Sequence, residues 1–232
     1  VNRDYALWTT QKLRSLLPEE LSPGGFHRPH GCKPAAGGSL AVIIPFRDRW
    51  RPLKVLLGHL HPLLMRLRRC YRVFLVEQSG TSAFNKGRLN NAGFREAFRL
   101  FAFDCVIFQD ADVIPMHDHN GYACRIDRPL HLASGLSNTK FKLPYPSLVG
   151  GCIAFTVDQY LNVNGYSNLY WGWGLEDDDI EIRMKSHGNK KYSHQSTKIG
   201  RYLSYPHKAQ SIFKVQAARR KPLLKTVGKR MM

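Results

Sequence analysis

The sequence predicts an α/β domain built on a sheet with parallel crossovers. Two observations carry this. From Leu40 onward, short apolar runs alternate with helical apolar spacings as strand, helix, strand, helix, strand, within about 70 residues. Each apolar run is also followed by polar residues, at the strand ends where such sheets bind ligands.

Residues 1–38 are rich in Pro, Gly and basic groups, as in Ser22-Pro23-Gly24-Gly25 and Ala35-Ala36-Gly37-Gly38. They read as an irregular lead-in, with one domain over residues 39–232. Leu40 to Phe46 is a continuous apolar run, as in a buried strand. Arg51 to Arg69 places Leu53, Leu56, Leu57, Leu60, Leu64 and Leu67 at helical spacing, with Pro62 as an expected kink. Tyr71 to Val76 is a second strand, Arg88 to Phe101 a second helix and Cys105 to Phe108 a third strand. Gly150 to Phe155 then reads as a strand, Val157 to Val163 as a short helix and Asn164-Gly165 as a turn. Glu176 to His187 reads as a helix with acids in its first turn and Gly188 as its stop.

The 232 residues suit one large domain, and 43% hydrophobic content supports a core. No run of eighteen apolar residues and no charged-then-apolar leader is present, while both ends look cut, so a missing anchor assigns no compartment. The formal charge of +18 is spread over scattered clusters such as Arg66-Leu67-Arg68-Arg69 and Arg219-Arg220-Lys221. No nucleic-acid motif accompanies them, so a basic surface is the favoured reading and no nucleic-acid partner is expected. The five cysteines, Cys32, Cys70, Cys105, Cys124 and Cys152, form no CxxC pair, which argues against structural zinc. A disulfide with leftover thiols, a pairing outside the chain and reduced buried thiols all fit.

Two acidic segments could do chemistry. Asp110 and Asp112 sit two apart after an apolar strand, which in extended chain puts both carboxylates on one side. Such a pair can serve a hard divalent cation and a diphosphate-bearing ligand. Glu176-Asp177-Asp178-Asp179 opens a helix, where acids complement the dipole. Capping needs fewer than four acids, and the dipole keeps a carboxylate ionised as a general base must be. The preceding Tyr170-Trp171-Gly172-Trp173-Gly174 offers flat faces for sugar rings on a loop that glycines allow to move. A core cluster is the alternative for those aromatics. His207, in Tyr205-Pro206-His207, is a candidate metal ligand, although a lone histidine is more often structural.

Taken in order, these segments resemble the β-1,4-galactosyltransferase family, which includes β-1,4-N-acetylgalactosaminyltransferases. The likeness runs through Val42-Ile43-Ile44-Pro45-Phe46-Arg47-Asp48-Arg49, Phe84-Asn85-Lys86, Asp110-Ala111-Asp112-Val113-Ile114-Pro115, Val149-Gly150-Gly151, Asn164 to Asn168 and Tyr170 to Asp179. It implies a GT-A-type fold, a Rossmann-like mostly parallel sheet with helices on both faces. The implied activity is inverting, metal-dependent transfer of galactose or GalNAc from UDP-galactose or UDP-GalNAc to the 4-hydroxyl of terminal GlcNAc or glucose. A glycoprotein or glycolipid would carry the acceptor sugar. The implied setting is the Golgi lumen, as a type II membrane protein whose anchor lies outside this chain. By position, Pro45, Phe46, Arg47, Asp48, Arg49, Phe84, Asn85, Lys86, Ala111 and Asp112 would line the donor, together with Leu148, Trp173 and His207. Asp112 and His207 would hold Mn²⁺. Trp173, Gly174, Leu175, Glu176, Asp177 and Asp178 would bind the acceptor, with Asp177 as base. Cys105 and Cys124 would form the family's disulfide, and Cys32 would pair with a cysteine upstream.

The chain departs from the family pattern at several points. Ala111 stands for Val in the DVD motif. Lys86 replaces Arg, keeping charge but losing bidentate phosphate geometry. Ser204 replaces a Met metal ligand, a harder donor that would either move preference away from Mn²⁺ toward another divalent metal or lower metal affinity. The family's acceptor-pocket Arg has no clear counterpart, falling near Ile212, and the chain stops before an expected DGLNS segment. Leu148 replaces a Tyr that crowds the donor's C2 substituent, which makes room for an N-acetyl group. An inactive sugar-binding homologue is the second reading, and nucleic-acid binding through charge is the third.

Overall fold

The computed structural model describes residues 9–17, 21–22, 24–28, 38–172, 174–186 and 192–206. In chain order the elements are α1 (Thr10–Leu16), β1 (Phe26–His27), β2 (Ser39–Phe46), α2 (Trp50–Arg66), β3 (Cys70–Glu77), α3 (Lys86–Leu100), β4 (Cys105–Gln109) and β5 (Val113–Pro115). They continue as β6 (Leu130–His131), β7 (Gly135–Leu136), β8 (Cys152–Thr156), α4 (Val157–Asn162), α5 (Glu176–Ser186), β9 (Ser193–His194) and β10 (Arg201–Ser204). Among the described residues, one sheet has the order β1-β3-β2-β4-β8-β6-β9 and a smaller one the order β5-β10-β7.

β2 is buried along its whole length because both faces of the sheet are covered. Leu40, Val42, Ile44 and Phe46 pack with Leu53, Leu56, Leu60 and Leu64 of α2. Ala41 and Ile43 point the other way, toward Phe94 and Ala97 of α3. Gly93 lets α3 lie close, since a Cβ there would stand 2.7 Å from methyls of both Ile43 and Val76. α2 continues through Pro62 without a break.

The expected strand and helix alternation holds for β2, α2, β3, α3 and β4, with β2 parallel to both β3 and β4. The sheet as a whole is mixed rather than mostly parallel. β8 runs antiparallel to β4, and β6 antiparallel to β8. No α-helix carries the chain back between β4 and β8, where only a 3-10 turn at Ser137–Thr139 occurs, so β8 enters from the opposite end. Parallel pairing would have required a crossover, and no helical apolar period occurs between Asp110 and Gly150.

The lead-in is not wholly irregular, because it contributes α1 and also β1, which adds an antiparallel strand to the edge of β3. The expected turn at Asn164-Gly165 is present, with both residues at positive φ. Asn91 of α3 braces it: its Oδ1 accepts from Tyr160 Oη at 2.6 Å and Tyr166 N at 3.0 Å. Cys105 and Cys124 are disulfide-bonded, Cys70 is also disulfide-bonded, and Cys152 is a buried thiol. Cys32 lies outside the described residues. Among the described residues no helix is long and apolar enough to cross a membrane.

Candidate active site

Three parallel strands end on the same side of the sheet, and their following residues build the site. At the end of β2, Pro45 and Phe46 are buried, and the Phe46 ring meets Trp50 at 4.6 Å. Arg47 donates to Ser82 O at 2.6 Å and lies over the Phe84 ring at 5.5 Å. Asp48 takes a left-handed conformation, φ 53°, and Arg49 starts α2 without a side-chain cap.

After β3, Gln78 Oε1 accepts the Asn85 N–H at 2.8 Å. Asn85 is buried and caps α3, accepting from Arg88 N at 2.9 Å, while its Nδ2 donates to Asn168 O at 2.9 Å. Asparagine at this position satisfies one of the helix's orphan N–H groups. Lys86 then occupies the first turn, where a cation opposes the helix dipole. Its presence there requires compensation, which the next elements supply.

After β4, buried Gln109 braces the Asp110–Val113 turn. Its Nε2 donates to Val113 O at 2.7 Å, and its Oε1 accepts from Tyr122 Oη at 2.8 Å. Asp110 N–H donates to Gly151 O at 2.8 Å. Ala111 is buried and Asp112 half-buried. The Asp112 carbonyl accepts from Tyr205 N at 2.7 Å, which ties the segment following β10 to the turn. His207 and Trp173 lie outside the described residues. Among the described residues no cluster of three or more His, Cys, Asp or Glu is arranged to hold a metal ion.

The second acidic run divides its work. Gly174 and Leu175 both have positive φ, 92° and 76°. For leucine this is a strained conformation, and it turns the chain into α5. Glu176 and Asp177 face Lys86. Asp178 accepts from Tyr145 Oη at 2.9 Å. Asp179 is buried and structural, held by Tyr170 Oη at 3.2 Å and Arg183 Nε at 2.6 Å. The four adjacent carboxylates therefore have different partners: Lys86 for Glu176 and Asp177, Tyr145 for Asp178, and Tyr170 with Arg183 for Asp179.

Lys86 joins the two halves. Its Nζ lies 3.0 Å from Asp110 Oδ1, 3.0 Å from Asp177 Oδ2 and 3.7 Å from Glu176 Oε1. Burial disfavours its charge, but Asp110, Asp177 and Glu176 outweigh that and raise its pKa well above the usual lysine value. Burial raises the Asp110 carboxyl, with Lys86 opposing. Burial likewise lifts Glu176 to about 7, Asp177 adding to the rise and Lys86 opposing it. Glu176 Oε2 is buried with no hydrogen-bond partner, in keeping with a carboxyl that gains by holding a proton.

The irregular segment from Tyr145 to Gly151 connects all of these groups. Tyr145 reaches Asp178, and Gly151 O receives Asp110 N–H. Gly150 lies so close to Asp177 that an added Cβ would collide with Oδ2 and stand 3.1 Å from Cγ. Leu148 is half-buried within the segment. Asp110 was read from the sequence as Asp112's partner for a cation and a diphosphate, whereas Tyr145 and Gly150, which the structure brings into the same cluster, had no role in that reading. Val149-Gly150-Gly151 belonged to the resemblance without a role, and nothing in the sequence signals that Gly150 abuts Asp177. A separate cleft lined by Asn91, Phe94, Tyr160, Leu161, Leu169 and Arg183 includes none of these groups.

Comparisons with known proteins give the family and the fold. A profile of the N-terminal region of glycosyl transferase group 7 matches residues 5–125. A profile of the N-terminal domain of galactosyltransferase matches residues 130–208. The chain is 43% identical over 188 residues to β-1,4-galactosyltransferase 3 of Homo sapiens, covering 81% of this chain and 47% of that protein. It is 40% identical over 204 residues to β-1,4-galactosyltransferase 5 of Danio rerio, covering 88% and 52%. The chain therefore spans about half the length of these relatives. A crystal structure of a Drosophila β-1,4-galactosyltransferase 7 mutant, in complex with manganese, UDP-Gal and xylobiose, superposes with TM-score 0.68 at 27% identity, covering 79% of each chain. The catalytic domain of the same enzyme with xylobiose gives 0.67 at 26% identity, covering 81% of this chain and 79% of that one. The fold is of the GT-A type, and the chain belongs to glycosyltransferase group 7, the family of the β-1,4-galactosyltransferases.

Proposed function

We propose that the chain is the catalytic part of an inverting, metal-dependent β-1,4-glycosyltransferase. It moves GalNAc or galactose from a UDP-sugar to the 4-hydroxyl of a terminal GlcNAc or glucose on a glycoprotein or glycolipid. The observation that carries this reading is the Lys86 bridge, which sets the strand end bearing Asp110 and Asp112 against the helix end bearing Asp177. The manganese and UDP-Gal in the related Drosophila enzyme supply the donor half of the comparison, and its xylobiose supplies the acceptor half.

In this reading Arg47, Phe84 and the Asp110–Asp112 turn receive the nucleotide and diphosphate. Asp177, in the first turn of α5, takes the proton from the attacking hydroxyl, and inversion follows from one direct displacement. The Lys86 ammonium orients Asp177 before the acceptor arrives. Trp173, Gly174 and Asp178 border the acceptor. Asp112 is a hard oxygen donor suited to Mn²⁺ or Mg²⁺, which bind through one or two carboxylates plus substrate phosphates. His207 is the second proposed protein ligand, and Ser204 near it favours a harder metal than a thioether would. When bound, the ion offsets the negative charge that develops on the leaving diphosphate. A Golgi-lumenal setting, with an anchor outside this chain, completes the proposal.

Leu148 makes the donor assignment specific: an aliphatic side chain there leaves room beside the donor's C2 group, so UDP-GalNAc is used at least as well as UDP-galactose. A donor panel with GlcNAc acceptors and several divalent metals tests this. Leu148→Tyr is expected to lower use of UDP-GalNAc relative to UDP-galactose. A strong UDP-galactose preference already present with Leu148, and unchanged by the substitution, would refute it. Metal-dependent UDP release that vanishes in Asp112→Asn separates an enzyme from a sugar-binding homologue.

A further inference from the structure

His131 and His194 are opposite one another on neighbouring strands, β6 and β9, in parallel register. Gln195 N–H donates to His131 O at 2.8 Å, which fixes the pairing. Their rings meet through Nδ1 of each, 2.8 Å apart. The outer nitrogens reach the two ends of one segment: His131 Nε2 is 2.8 Å from Gly150 O, and His194 Nε2 is 2.9 Å from Pro146 O. Carbonyl oxygens only accept, so both Nε2 atoms carry protons. The Nδ1 to Nδ1 contact needs a third proton, because two bare lone pairs at that distance repel. Two neutral imidazoles hold only two ring protons between them. The four hydrogen-bonding nitrogens therefore share three, and the pair carries one positive charge.

The position of that charge follows from burial. His131 is fully buried, and burial, with His194 and Lys86 adding to the effect, pushes its pKa down to about 3. His131 is thus the neutral partner, donating through Nε2 and accepting through Nδ1. His194 is the imidazolium, donating through both nitrogens. The titratable groups facing the pair are Lys86, acting through space on His131, and Tyr192, whose ring is 5.4 Å from that of His194. Tyr192 in turn donates to Glu181, which pairs with Lys185. Asp177 lies beyond Gly150.

We propose that His131 and His194 are positioning residues that pin the Pro146–Gly150 segment at both ends while three protons are shared, and that losing the third proton releases one end. This rests on the reading above, in which that segment carries Leu148 beside the donor and Gly150 behind Asp177. Deprotonation leaves either the Pro146 carbonyl or the His131 ring without its donor. Donor KM should then rise by about tenfold, the order expected for one charge-assisted hydrogen bond, as the third proton is lost with rising pH.

The experiment has two arms on the intact chain. Nitrogen-15 NMR of the imidazole rings counts protons directly in the unaltered protein. Three protonated nitrogens in the pair at low pH, falling to two as pH rises, are expected. Two throughout would overturn the proposal, whatever the enzyme's activity. Donor KM is then followed against pH in the unaltered protein, His194→Gln and His194→Arg. His194→Gln should remain at the high KM at every pH, and His194→Arg, permanently charged, at the low one. A pH step that persists in His194→Gln, or no step in the unaltered protein, would also overturn it. If no UDP-sugar is turned over, the proposed function fails while the proton count still decides the pair. If His194→Gln does not fold, the count in the unaltered protein decides it alone.

Discussion

Replacing Gly150 by alanine probes whether the backbone behind Asp177 sets the geometry of catalysis. The φ of Gly150 is not in the left-handed region, so alanine is allowed there by backbone conformation. The perturbation is purely steric. The new methyl would collide with Asp177 Oδ2 and crowd Cγ at 3.1 Å. The carboxylate must retreat by about 1 Å to regain van der Waals separation, and Lys86, 3.0 Å away, must follow or lose its bond. A displacement of about 1 Å at a reacting group costs on the order of 100-fold in rate, or about 2.7 kcal/mol of barrier. The assay is UDP release at saturating donor and acceptor, with thermal unfolding to confirm that the fold persists. The expected result is kcat lowered by about 100-fold, since the reacting carboxylate is displaced. A folded Gly150→Ala protein with kcat within about twofold of the unaltered chain would refute the assignment of Asp177 as base.

Three further outcomes follow from the structure. Burial raises Glu176 from 4.5 to about 7; the folded state then binds more protons than the unfolded one between these values, so stability from this group is greatest below pH 4.5 and is lost as pH rises toward 7. Glu176→Gln should flatten that fall in a series of thermal melts, and an unchanged slope would show that the carboxyl is not perturbed. Removing the Cys105–Cys124 disulfide, whose cysteines are 19 residues apart, should lower stability by about 3 kcal/mol on the chain-entropy estimate, read by denaturant unfolding of the double serine variant. Gly93→Ala would set a methyl 2.7 Å from Ile43 and Val76, and its overpacking cost of about 1–3 kcal/mol exceeds alanine's helix advantage of about 1 kcal/mol, so urea unfolding should show a net loss.

Much of the fold was legible because local physics specified it. The alternation of β2, α2, β3, α3 and β4 follows from apolar runs and helical spacings that both faces of a parallel sheet require. Their polar sequels, Arg47, Lys86 and Asp112, lie at the ligand-binding end for the same reason. The second half was less legible, because β5, β6, β7, β9 and β10 are two to four residues long. Strands that short have no period to read. Their pairing is set by partners distant in the chain, as when β10 closes on β5 beside Asp112.

For the site itself, the sequence by itself determined which residue types meet: two acidic segments, a cation in the FNK motif and a glycine pair, in an order that identifies the family. It did not determine how they meet. Lys86 was expected on a diphosphate, and in this structure its ammonium is held by Asp110, Asp177 and Glu176. Asp178 and Asp179, adjacent and chemically alike, are divided between Tyr145 at the surface and Arg183 in the core. The packing of Gly150 against Asp177 and the pairing of His131 with His194 have no local signature at all. Each joins residues that are 27 and 63 positions apart. Only the closure of the sheet and the path of the irregular 110–150 segment decide such contacts, because burial and proton placement depend on the neighbours that the folded chain supplies.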